Sequence, residues 1–194
     1  MKFGSKIAQL LVENGTIQRE EYEIYQYGLE QGAVLLFNVF STLVVGFLMH
    51  APVESAVFLA AYIPIRMFSG GYHSSTQMRC YWLSIAIIVA ALFAVNLTLT
   101  AQASIYVAVG TILPGVIIWS LSPVEDRNKP LDALERVVYR KRARSILIAE
   151  LIIMTAFLLL KFYAITLSIS MALTVLSVLL IIGRFKEKRF MTNQ

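Results

Sequence analysis

Two rare side chains in this chain of 194 residues, seven positions apart, are of kinds that together cleave acyl bonds. They are Cys80, the only cysteine, and His73, one of two histidines. A thiolate is a strong nucleophile, and an imidazole can take the thiol proton and later return it to a leaving amine. Arg66 and Arg79 are cations close enough in sequence to favour the thiolate form. On a straight helix the spacing from His73 to Cys80 puts both side chains on one face but roughly 10 Å apart along the axis, too far for a hydrogen bond. A dyad therefore requires a break between them. Gly70-Gly71 supplies backbone freedom just ahead of His73, and Ser74, Ser75 or Thr76 can cap a helix that carries Cys80. The same residue types fit an interfacial histidine and a buried cysteine acting as a small hydrophobe equally well. A single cysteine excludes an internal disulfide and a multi-cysteine metal site, and no metal or cofactor is expected. His50, beside Pro52, reads as an interfacial residue rather than a catalyst.

The elements that must hold this stretch are apolar. Hydrophobic residues make up 58% of the chain and charged residues 15%, with a mean hydropathy of +0.69. Soluble domains carry about a quarter charged residues, so the expectation is an all-α, polytopic integral membrane bundle forming a single domain over 1–194. The net charge of +5 does not indicate a nucleic-acid partner, because the basic residues flank hydrophobic runs as topology determinants do. No secretory signal peptide is expected, since the N-terminal apolar positions are interleaved with Lys6, Glu13 and Arg19.

Residues 1–30 predict two short amphipathic helices. The first ends at Asn14-Gly15, and the second is capped by Thr16 with Glu20 and Glu21 in its first turn. They fit a position along the membrane interface or against the bundle. Six spans are expected in the stretch 32–183: Gly32 to Met49, Ser55 to Phe68, Tyr81 to Leu97, Ile105 to Leu121 with Pro114 inside, Ser145 to Leu160, and Phe162 to Gly183. The second is short against the roughly 20 residues a crossing needs, and fits a tilted span or a partly re-entrant one. The hydrophilic stretch 122–144 reads as one long basic loop, and 184–194 as a basic tail. Six spans put both termini, the segment 66–80 and the loop 122–144 on one side. That side holds every lysine and arginine except Lys161, so the positive-inside rule makes it cytoplasmic.

Glu150 falls within the fifth span, where a carboxylate is costly unless paired or near the surface. It could pair with Arg66 or Arg79, orient His73, or snorkel to the interface. The run Arg140 to Arg144 fits contact with lipid headgroups or attraction of an acidic substrate segment.

The pattern Arg66-x-x-x-Gly70-Gly71-x-His73, with Cys80 after six intervening residues, resembles the signature of the accessory gene regulator B (AgrB) family. Ser122-Pro123 followed by Asn128-Lys129-Pro130 is similar to that family's second recognisable block. The resemblance covers essentially the whole chain. It implies a cell-membrane cysteine endopeptidase of Gram-positive quorum sensing and virulence regulation. Its substrate would be a short AgrD-like propeptide with an amphipathic leader, a central signal segment and an acidic C-terminal tail. Cys80 would be the nucleophile and His73 the general base and acid. Cleavage would release the tail, and a thiol or hydroxyl of the bound peptide would close a thiolactone or lactone ring. Arg66, Gly70, Gly71, Arg79, Lys129 and Glu150 are the candidate supporting or substrate-binding residues. The implied partners are the propeptide, the bilayer and a second copy of the chain. The alternative, a non-enzymatic transporter subunit or peptide exporter, would line its mid-span positions with polar residues. Those positions are nearly all aliphatic here, apart from Asn38, Asn96 and scattered serines and threonines.

Overall fold

A computed structural model of the chain describes residues 2–72, 77–100, 103–125 and 131–192. Seven α-helices occupy them: α1 (Lys2–Glu13), α2 (Tyr22–Leu48), α3 (Pro52–Ser69), α4 (Gln77–Thr100), α5 (Ala103–Leu121), α6 (Ala133–Leu159) and α7 (Tyr163–Thr192). There is no β-strand among the described residues. The molecule is an all-α membrane bundle, as its composition leads one to expect. Three helical stretches, Arg19–Leu48, Met78–Thr98 and Tyr163–Lys186, are long and apolar enough by themselves to cross a membrane. The six expected spans fall in α2 to α7, while length and hydropathy alone single out α2, α4 and α7.

The chain divides into two compact units, Met1–Thr42 and Leu43–Gln194. In the first, α1 stops where Asn14-Gly15 predicts. Thr16 N–H donates to the Leu11 carbonyl at 2.9 Å and Gly15 N–H to that of Val12 at 3.0 Å, the paired bonds that close a helix C-terminus. Ala8 is fully buried. The expected second short helix is not separate. After a 3-10 turn at Arg19–Glu21, α2 starts at Tyr22 and runs unbroken into the first span. Glu21, rather than Thr16, closes the entry, accepting from Gln18 N–H at 3.0 Å. Gly28 and Gly32 do not interrupt α2, because one glycine costs a helix only about 1 kcal/mol.

In the second unit α7 is the hub, touching α3, α4, α5 and α6. Of its apolar window 61% is buried, against 22% for that of α4. One core cluster joins Phe58, Ile88, Leu92, Val95, Val107 and Met154. The other joins Ile65, Ile118, Val124, Leu147, Leu173, Leu176 and Leu180, and the residue after Ile65 is Arg66. Between α5 and α7 the packing is close and polar. Pro114 has no N–H to give the Gly110 carbonyl, and Thr174 Oγ1 donates to that carbonyl instead at 3.0 Å. Thr111 Oγ1 adds a bond to Ser170 Oγ at 3.3 Å. Small residues and cross-helix hydroxyls of this kind hold helices together where lipid provides no hydrophobic drive.

The stretch 122–144 is not a loop throughout, since α6 starts at Ala133. Asp132 Oδ1 accepts from Glu135 N–H at 2.6 Å, and Glu135 Oε2 accepts from Asp132 N–H at 3.2 Å. This reciprocal cap starts the helix ahead of the basic run. The basic residues therefore sit on the first turns of a helix continuous with the fifth span. The final hairpin turns where expected, with Lys161 at φ 63°.

Candidate functional site

One end of the second unit gathers residues far apart in the chain. Phe68 of α3 meets Tyr139 of α6 edge-on at 5.6 Å, and Arg142 stands 5.2 Å over the Phe68 ring. Arg144 stands 4.5 Å over Trp119 and donates through Nη2 to the Trp119 carbonyl at 3.2 Å. The basic run of α6 is thus partly spent on aromatic rings and a carbonyl of its own bundle, each cation–π contact adding about 0.5–1 kcal/mol where exposed.

The Arg66–Tyr72 segment lies at this end. Helix α3 stops at Ser69 and α4 begins at Gln77, and the stretch in which a His73/Cys80 dyad requires a break, residues 73–76, lies outside the described residues. Gly70 and Gly71 both have positive φ, 68° and 119°, a region L side chains rarely enter. Each also lacks room for a side chain: a Cβ on Gly70 would strike the Val124 carbonyl oxygen, and one on Gly71 the Arg66 guanidinium. Gly70 pairs with Val124 as a single parallel bridge. Val124 N–H donates to Ser69 O at 2.9 Å and Gly71 N–H to Val124 O at 3.3 Å. The second sequence block, beginning Ser122-Pro123, thereby delivers Val124 as a splint for the first.

Arg66 closes the turn from inside. Its Nη1 donates to Gly70 O and its Nη2 to Tyr72 O at 2.5 Å. Two charge-assisted bonds from one planar fork fix the direction in which the chain leaves toward residue 73. His73 itself lies outside the described residues, as does Lys129.

Cys80 sits in the first turn of α4, half-buried and with its thiol free. Its carbonyl accepts from Ser84 Oγ at 2.9 Å. Arg79 beside it is exposed and engaged in an interaction of its own. Tyr62, which the sequence reading did not single out, lies within electrostatic range of both the Arg66 guanidinium and the Cys80 thiol. Its ring stacks on Phe58 at 5.5 Å. Its signal in the sequence is its place one helical turn before Arg66, hence on the same face of α3.

Glu150 is buried, at 8% exposure, on the α6 face that also buries Ala143, Leu147 and Met154. It neither snorkels nor pairs with Arg66, whose guanidinium serves the backbone carbonyls, and its Oε2 has no hydrogen-bond partner. Among the described residues no group of acidic, histidine or cysteine side chains could hold a metal ion.

The family model described as Accessory gene regulator B matches residues 5–182. A protein of Clostridium perfringens strain 13 (type A), named AgrB-like protein 2, is 26% identical over 130 residues, covering 64% of this chain. An AgrB-like protein of Clostridium perfringens strain SM101 (type A) is 29% identical over 117 residues, covering 58% of it. The chain spans 61% and 55% of the length of these two curated relatives. No solved structure matches it significantly. With a match that reaches from the amphipathic N-terminal helix almost to the end of the last span, the chain belongs to the accessory gene regulator B family.

Proposed function

We propose that the protein is a membrane cysteine endopeptidase that matures a quorum-sensing peptide. The observation that carries this reading is the turn after Ser69, where Arg66 and Val124 bind Gly70 and Gly71 just ahead of His73, with Cys80 in the first turn of α4. Membership of the family supports the substrate class: a short propeptide with an amphipathic leader and an acidic tail.

The chemistry runs in two balanced steps. His73 takes the Cys80 thiol proton, and Sγ attacks the carbonyl at the end of the signal segment. The peptide C–N bond breaks, the leaving amine takes the proton from His73, and a thioester to Cys80 remains. A thiol or hydroxyl within the bound peptide then attacks the thioester carbonyl. Its proton passes to His73, the C–S bond to Cys80 breaks, and the proton returns to the thiol as the ring closes. Water would hydrolyse the thioester, so the second step depends on its exclusion, which a site at a bilayer edge favours. Arg140, Lys141 and Arg142 stand at this end of the bundle, and the positive-inside rule puts that end in the cytoplasm.

Co-expression with a candidate propeptide of that class tests the proposal. Wild type yields a released acidic tail and a cyclic product, and Cys80→Ala and His73→Ala yield neither. Cleavage that persists in Cys80→Ala ends the reading.

A further inference from the structure

The turn before His73 rests on α7 as much as on α3. Tyr72 N–H donates at 2.9 Å to the carbonyl of Leu179, which lies within α7. One turn on, Gly183 is buried. A Cβ at Gly183 would stand 2.8 Å from Tyr72 N and 2.9 Å from Gly71 C. Both are backbone atoms, so no side-chain rotation relieves the clash. Lys186 Nζ lies 5.1 Å from the centroid of the Tyr72 ring. The residue joined directly to His73 is therefore held by its N–H and its ring on α7 and by its carbonyl on Arg66. Across a trans peptide consecutive Cα atoms are about 3.8 Å apart, so a shift of Tyr72 moves the point from which the chain continues to His73.

We propose that Gly183 is a positioning residue for the dyad: its bare backbone seats the Gly71–Tyr72 turn on α7, and a side chain there lifts the turn from which His73 follows and weakens its partnership with Cys80. The inference rests on the reading of His73 and Cys80 as partners. Leu179 supplies the acceptor and Lys186 the clamp on the ring.

The chain has one cysteine, so alkylation by N-ethylmaleimide reports Cys80 without any substrate. The test uses the full chain in lipid nanodiscs between pH 6 and pH 9. Wild type is expected to label rapidly at pH 7. Gly183→Ala and His73→Ala should each label about tenfold more slowly at pH 7 but at the wild-type rate at pH 9, because an unassisted thiol is only a few per cent thiolate at neutral pH. The double variant should be no slower than either single one. Gly115→Ala, whose added Cβ would meet nothing within 4 Å, is the control and keeps the wild-type profile. If His73→Ala slows labelling and Gly183→Ala does not, the inference is overturned and the dyad stands. If His73→Ala leaves the profile unchanged, the dyad falls and takes the inference with it. Should Gly183→Ala fail to elute like wild type on size exclusion, Lys186→Gln decides. A smaller slowing at pH 7, restored by Lys186→Arg, supports the inference, and an unchanged rate overturns it.

Discussion

Arg66 reaches forward along the chain to donate to the carbonyl oxygen of Tyr72 at 2.5 Å, while the same guanidinium donates to Gly70 O. A cation in apolar sequence commonly reads as a snorkelling side chain or an ion-pair partner. Here it serves as a strut for backbone that has left the helix.

Arg66→Lys should therefore fail to substitute. A single ammonium cannot match the planar fork that binds two carbonyls. Propeptide cleavage in Arg66→Lys should fall at least tenfold, close to Arg66→Ala. Thermal unfolding in detergent should show a loss of about 1.5–3 kcal/mol, the worth of a hydrogen bond to a charged group.

Gly70→Ala meets two obstacles at once, a φ of 68° and the Val124 carbonyl oxygen. Backbone strain of this kind costs about 1–3 kcal/mol, and the steric clash adds to it. The expected outcome is lost cleavage together with a lowered melting temperature. Retained activity would show that the bridge to Val124 is dispensable.

Tyr62→Phe keeps the stack on Phe58 and removes only a hydroxyl within electrostatic range of Arg66 and Cys80. Maleimide labelling of Cys80 at neutral pH should slow by a factor of about two to five, in line with the loss of one nearby dipole. The melting temperature should stay within a degree or two of wild type. An unchanged labelling rate would remove Tyr62 from the site.

Thr174→Val should cost about 1–2 kcal/mol by leaving the Gly110 carbonyl without a donor. Pro114→Ala restores a backbone N–H one turn after Gly110, so in that background the cost should shrink. A double-mutant cycle on thermal unfolding reads the coupling directly. Additive effects would mean that the hydroxyl does not replace the missing N–H.

Glu150→Leu removes a buried carboxyl with an unpartnered oxygen from the interior face of α6. Replacing an unsatisfied polar group by an apolar one of similar size is expected to raise stability by about 1–3 kcal/mol. If the melting temperature falls instead, Glu150 has a partner that it meets only in the membrane.

Much of this was open to reading in the chain itself. The charge-free run from Cys80 to Val124 contains the two apolar helices expected of it. The final hairpin turns at Lys161, and Gly70-Gly71 ends α3 just before His73. The start of α6 was hidden by its composition. The basic run 140–144 suggested a loop, although Asp132 and Glu135 have the spacing of a helix cap. The role of α7 left no local trace, because Leu179 and Gly183 look like ordinary members of an apolar span. Their meaning comes from a backbone contact with Tyr72 that no periodicity encodes. Tyr62 leaves no trace for a different reason: an aromatic residue at helical spacing most often serves only the core, and its nearness to the thiol depends on how α4 sets Cys80 within electrostatic range of α3.

The bond from Tyr72 to Leu179 also sets an order of events during synthesis. A growing chain inserts Cys80 and the glycine turn early, but the seat for that turn belongs to α7, which leaves the ribosome later. At translation rates of about 5–20 residues per second, the interval is on the order of ten seconds. During it the turn has no acceptor on α7, and a chain cut short before α7 never acquires one. On the reading proposed above, the thiol reaches the membrane well before the parts that would aim its base, and peptide cleavage waits for α7.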